Sequence, residues 1–141
     1  MSAEYSANAL QTVPAGGSVI FTESPVPCYK GLIYHRDESG LFRLAGLGCC
    51  RGTNYEVGFH ANIQIPTGGT IETISIAIFV DGEEDPSSIM SVTPAAVEEP
   101  FNVGAGIIAT VPCICRCSTV SVRNISTQPI EISNANITID R

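Results

Sequence analysis

From Tyr55 to Ile65 every second residue is apolar: Tyr55, Val57, Phe59, Ala61, Ile63 and Ile65 alternate with Glu56, Gly58, His60, Asn62 and Gln64. Successive side chains of an extended chain point to opposite faces, so this pattern marks a strand with one face in a core and the other outside it. Pro66-Thr67-Gly68-Gly69 ends the run.

The same period returns along the chain. Ile71 to Val80 places Ile74, Ile76, Ile78 and Val80 on one face, and Ala77 and Phe79 on the other, so both faces of this strand are expected to be covered. Asp81-Gly82 then signals a hairpin turn. Phe101 to Val111 alternates through Phe101, Val103, Ala105, Ile107, Ala109 and Val111, with Gly104, Gly106 and Ile108 opposite. Shorter strands are expected at Ser18 to Thr22, at Gly31 to His35 paired with Leu41 to Leu44, at Ile89 to Val97 on an edge because of Pro94, and at Val120 to Val122. Ser24 to Cys28, with its two prolines, reads as a rigid extended connection. In Ile130 to Ile139 the parity shifts between Ile132 and Ala135, which predicts a β-bulge near Ser133-Asn134. With 13 Gly and 9 Pro spread over 141 residues, no long helical window survives. The expected fold is all-β: a jelly-roll sandwich of eight to ten short antiparallel strands.

Charge narrows the range of partners. Charged residues make up 15% of the chain and the formal net charge is −7. An acidic surface repels phosphate backbones, and the basic residues are few and scattered, so neither nucleic acid nor an anionic membrane surface is an expected partner. No stretch approaches the apolar length of a membrane span. The first residues lack the basic and apolar regions of a signal peptide, which predicts synthesis in a cytoplasm.

Six cysteines, Cys28, Cys49, Cys50, Cys113, Cys115 and Cys117, stand out in such a chain. In Cys113-x-Cys115-x-Cys117 alternate residues share a strand face, so three thiols line up. Structural zinc sites favour wider spacings, which leaves buried thiols, or disulfides tying this loop to Cys49, Cys50 or Cys28, as the leading reading. A metal site and a reactive thiol beside Arg51 or Arg116 stay open. His35 and His60 are the only histidines, and His60 falls mid-strand on the face away from the core. Asp81, Glu83, Glu84 and Asp85 cluster in a turn without the spacing of a calcium loop and read as a solvated acidic loop. Asn124-Ile125-Ser126 and Asn136-Ile137-Thr138 match glycosylation sequons and read as chance without a secretory signal. No nucleotide-loop, nucleophile-elbow or zinc-protease motif occurs, so no enzyme activity, cofactor or metal is expected.

The order of these motifs resembles a known family. His35, Gly40-Leu41-Phe42 and Tyr55-Glu56-Val57-Gly58-Phe59, followed by Ile76 to Gly82, are similar to the first half of C1q/TNF-like domains, in which a hairpin with a Gly-x-Phe element precedes a long aromatic-rich strand. The likeness runs from about Ser18 to Arg141. A second, narrower resemblance joins Leu10 to Val13, Gly17 to Glu23, Ile65 to Thr70 and Val92 to Glu98 with small proteins of clostridial phages and prophages. It implies a virion component.

Together these readings predict two parts. Residues 1–17 form an N-terminal arm with Leu10 and Val13 as apolar anchors, and residues 18–141 form the jelly roll. Gly104, Gly106 and Ile108 are the expected trimer-interface residues, because small residues let backbones approach and an apolar strand face is costly in water. The expected protein is a homotrimeric phage virion component, a capsid decoration or head-fibre protein. It would be made in the bacterial cytoplasm, displayed on the virion surface, and anchored by its arm to the major capsid protein or another virion protein. The alternative is a carbohydrate- or receptor-binding module of a tail fibre or spore surface, with a host-surface glycan as partner.

Overall fold

The computed structural model describes residues 2–28, 31–46, 52–112 and 117–141. Twelve strands are defined among them: β1 (Ser2–Ala7), β2 (Gln11–Val13), β3 (Glu23–Val26), β4 (Ile33–His35), β5 (Phe42–Ala45), β6 (Thr53–Gln64), β7 (Ile74–Val80), β8 (Glu83–Glu84), β9 (Met90–Val92), β10 (Phe101–Val111), β11 (Cys117–Asn124) and β12 (Ile130–Asp140). A 3-10 turn at Pro86–Ser88 is their sole helical element.

All pairings are antiparallel and build two sheets. The first runs β10-β6-β12-β1-β3, with β2 also on β12; the second runs β4-β5-β11-β7-β8, with β9 also on β7. Their inner faces meet in one core. The alternation of β6 is realised in full: Tyr55, Val57, Phe59, Ala61 and Ile63 are buried, and the residues between them are exposed or half-buried. Ile74, Ile76 and Ile78 of β7 meet them from the second sheet. Aromatic rings fill the middle, with Phe21 lying 5.2 Å from Phe42 and 6.2 Å from Phe59 at near-perpendicular angles, a favoured arrangement. On the outer face of β7, Ala77 is fully buried and the Arg123 guanidinium sits 4.6 Å over the Phe79 ring, so that strand is covered on both sides as expected.

Two predicted local devices are present. Asp81 and Gly82 both have positive φ, 54° and 81°, and join Val80 to its partner Glu83, the geometry of a type I′ hairpin turn. The β12 ladder shifts register between Ser133 and Asn136, with Asn134 at φ 51°. The strand on its other side breaks at the same place, where the Asn134 N–H donates to the Asn8 carbonyl at 3.2 Å.

The expected arm of residues 1–17 is, over its described residues 2–17, not separate from the sandwich. Ser2–Ala7 pairs along β12 from Ser2↔Asp140 to Ala7↔Ala135, and Gln11–Val13 continues along the same edge to Val13↔Ile130. Ala3, Tyr5, Ala7 and Val13 are core residues. β1 is a central strand because β3 pairs with its far side. The predicted connection at Ser24 to Cys28 is thus largely strand β3, an edge position that tolerates Pro25. Ser18 to Thr22 makes only isolated bridges, Ser18↔Arg123 and Phe21↔Ser39, yet Val19 and Phe21 are fully buried, so its alternation is real while its ladder is not. The expected Ile89 to Val97 strand is confined to Met90–Val92, and the last-but-one strand extends over Cys117–Asn124.

Candidate functional site on the outer face of the first sheet

The outward residues of β10, β6, β12 and β1 stack in register. Gly106, Gly58, Thr138 and Glu4 form one cross-strand row. Ile108, Glu56, Asp140 and Ser2 form the next toward one end, and Gly104, His60, Asn136 and Ser6 the next toward the other. Two glycines directly opposite each other leave the sheet without side chains there, and a depression of about 700 Å³ results. Glu4, Glu56, Asp140 and Ile108 stand around it. The Asn136 amide donates to the Glu4 carboxylate at 2.7 Å, and Asp140 accepts from the Ser2 hydroxyl at 2.8 Å.

The three predicted interface residues come together on this face. Gly104, Gly106 and Ile108 are all exposed, and Ile108, at 64%, is the most exposed large apolar side chain among the described residues. β10 is an edge strand, and its eleven residues carry no charge. Beyond His60 the face is amide-rich: Asn102 donates to Asn62 at 3.0 Å and Asn62 to Asn134 at 3.2 Å.

The predicted anchors separate. Leu10 is 54% exposed, while Val13 is buried against β12 and cannot reach another molecule. Of the cysteines, Cys28 is half-buried and Cys117 exposed; Cys49, Cys50, Cys113 and Cys115 lie outside the described residues. Cys117 opens β11 opposite Ala45, whose carbonyl accepts the Tyr55 hydroxyl at 2.6 Å. Burial above all raises the Tyr55 pKa; the Arg141 charge opposes the rise, and the Cys28 and Cys117 thiols add to it. Among the described residues no group of three or more His, Cys, Asp or Glu side chains is arranged to hold a metal ion.

His35, Asp81, Asp85 and Asn124 have structural partners. His35 is stacked at 4.4 Å on Phe42, and its Nε2 lies 2.8 Å from the Ser39 carbonyl, which makes Nε2 the N–H donor. Asp81 accepts from the Thr119 N–H and the Ser118 hydroxyl, and Asp85 caps the 3-10 turn through the Ser87 N–H. Glu83 and Glu84 of that acidic loop are exposed. Asn124, the acceptor residue of the first sequon, is fully buried and hydrogen-bonded, so a glycan cannot be attached to it in the folded chain.

No protein-family model and no curated protein sequence matches the chain. Solved structures do. The structure of Eiger TNF from S. frugiperda aligns at a TM-score of 0.70 and 11% identity, covering 100% of this chain and 91% of that one. The globular domain of the zebrafish complement 1qA protein aligns at 0.61 and 10%, covering 99% and 93%. Murine APRIL aligns at 0.59 and 6%, covering 100% of both chains. The fold is a C1q/TNF-like jelly roll.

Proposed function

We propose that this chain is a homotrimeric structural protein of a phage virion, a capsid decoration or head-fibre protein that works by assembly and binding, not by catalysis. The observation that carries the trimeric part is the outer face of the first sheet. There an edge strand without charge, two facing glycines and a largely exposed Ile108 lie side by side. Such a face suits close approach by another copy, and an exposed isoleucine gains from being covered. The virion assignment draws its support from the sequence resemblance in Leu10 to Val13, Gly17 to Glu23, Ile65 to Thr70 and Val92 to Glu98. Since the first strands are built into the sandwich, attachment to a capsid protein falls to what they leave exposed, Leu10 in particular.

Light scattering of the full chain at micromolar concentration is expected to give three subunit masses. Electron microscopy of the particle is expected to place the trimers on its surface. A monomeric mass at that concentration would falsify the trimer. A second reading, a carbohydrate-binding module, rests on the depression, whose carboxylates accept from hydroxyl groups and whose Ser2 and Thr138 hydroxyls can donate to them. A glycan array separates the two: saturable binding of one saccharide class favours the module, and a blank array favours passive decoration.

A further inference from the structure

The second sheet holds, on its outer face, a guanidinium that the fold half-buries without a counter-charge. Arg123 of β11 sits between Ser18 on one side and Ala77 of β7 on the other. Its Cζ lies 4.6 Å above the Phe79 ring, and its Nε donates to the Ser121 hydroxyl at 3.3 Å. Stacking and this hydrogen bond together fix the plane of the group. Ser121, on the same face of the strand, is buried.

Of the four described arginines, Arg36, Arg43 and Arg141 are exposed to water, and Arg123 alone is half-buried. Acidic residues outnumber basic ones by 14 to 7, yet the carboxylates nearby are engaged elsewhere. Glu72 accepts from Thr127 and Gln128, and Asp81 from Thr119 and Ser118; Glu84, opposite Phe79, is exposed. A charge that has lost part of its hydration is stabilised by a partner of opposite sign, and Arg123 has none among the described residues.

Arg123 lines a depression of about 330 Å³ with Gly16, Phe79, Asn124, Ile125 and Ser126. The N–H groups of Gly16, Asn124 and Ile125 donate to the carbonyls of Asn124, Gly17 and Ser75. The Ser126 N–H donates to the Asn124 side-chain oxygen and its hydroxyl to the Ser75 carbonyl, while the Asn124 amide is held by Val13 and Gln128. What remains open is the fork of terminal guanidinium N–H groups, beside the apolar surfaces of Phe79 and Ile125.

That combination selects the occupant. The fork matches a carboxylate. An acidic sugar would bring several hydroxyl groups to a site with one open set of donors. A run of acidic residues would be repelled by a chain of net charge −7. We propose that this depression binds a single glutamate side chain on an otherwise uncharged segment of a partner protein, with its carboxylate on Arg123 and its aliphatic stem against Phe79 and Ile125. The site lies on the sheet opposite the glycine face, so it does not depend on the trimeric reading above.

The test is an NMR titration of the nitrogen-15-labelled full chain with the capped peptide acetyl-Leu-Glu-Leu-amide. The signals followed are the Arg123 Nε–H and the amides of Gly16, Ile125 and Ser126. Saturable shifts at roughly millimolar peptide are expected, with acetyl-Leu-Gln-Leu-amide about 10-fold weaker or more. Arg123→Lys keeps the charge without the fork and is expected to bind about 10-fold more weakly. Arg123→Gln is expected to show no saturation, with the rest of its amide spectrum reporting a folded chain. The glutamine peptide needs no variant, so it decides the matter if a substitution unfolds the protein. No shift at Arg123, equal binding of the two peptides, or full binding by folded Arg123→Gln overturns the proposal. Sodium glucuronate bound more tightly than the glutamate peptide overturns it in favour of an acidic saccharide.

Discussion

Replacing Asn124 by alanine tests the integration of the first strands into the sandwich. Its side chain is fully buried. Its amide nitrogen donates to the carbonyls of Val13 at 3.1 Å, Pro14 at 3.3 Å and Gln128 at 2.9 Å, and its oxygen accepts from the Ser126 N–H at 2.9 Å. One side chain therefore bolts the exit of β2 to the turn between β11 and β12. An amide offers two N–H donors, so alanine removes about three effective hydrogen bonds. At roughly 1 kcal/mol each, with a further penalty for carbonyls left buried and unpaired, the loss is about 3–4 kcal/mol. For a chain of this length that lowers the melting temperature by roughly 10 °C. Asn124→Asp conserves the volume but turns a carboxylate toward three carbonyls, so near neutral pH it should cost at least as much. Denaturant unfolding at one fixed protein concentration gives the numbers, since self-association adds its own stability. An alanine variant within about 1 kcal/mol of wild type would show that the first strands are held by apolar packing alone.

Three further outcomes follow from the packing. Deleting residues 1–17 removes β1 and β2; Tyr5 and Val13 alone account for about 3–6 kcal/mol of burial, comparable with a whole domain's net stability, so near-UV circular dichroism should show no cooperative transition. A truncated chain that melts normally would restore the detached arm. Burial, ahead of any nearby charge, raises the pKa of Tyr5 and Tyr55 above the ordinary 10.0. The folded value then exceeds the unfolded one, so their contribution is complete below that pH and is lost as pH rises through the folded value. In an alkaline titration their phenolate absorbance should appear together with unfolding, and a fully reversible early rise at both residues contradicts this. At the bulge, Asn134→Val should cost about 1–2 kcal/mol because φ is 51°, while Asn134→Gly should cost less; equal denaturation midpoints would mean the bulge relaxes.

The sandwich was legible wherever long strands had one covered face. β6 and β10 follow their alternation from end to end, and the Ser133-Asn134 bulge followed from a parity shift alone. β1 was missed although Ala3, Tyr5 and Ala7 alternate with Ser2, Glu4 and Ser6. Two of its three core residues are alanines, too small to carry a hydrophobic signal. Val13 was misread for a related reason, since three residues of strand show no period and only β12 reveals which way they face. Gly104, Gly106 and Ile108 were correctly placed outside the core, but the depression was not foreseeable. It needs Gly58 opposite Gly106, a pairing set by the β6–β10 register, together with carboxylates from β1 and β12.

The pairing of Ser2 with Asp140 has a mechanical consequence. The two ends of the described chain lie side by side, on neighbouring antiparallel strands. A load applied between them pulls along the hydrogen bonds of the β1–β12 ladder and opens them one pair at a time, from Ser2↔Asp140 inward. A load entering through Ile108 on the sheet face and leaving through either end would instead act across several strands at once. The fold is therefore weak to being stretched by its ends and stiff to being pressed or sheared across its face, so a tether under tension on both ends would peel away β1 and open the core it helps to close.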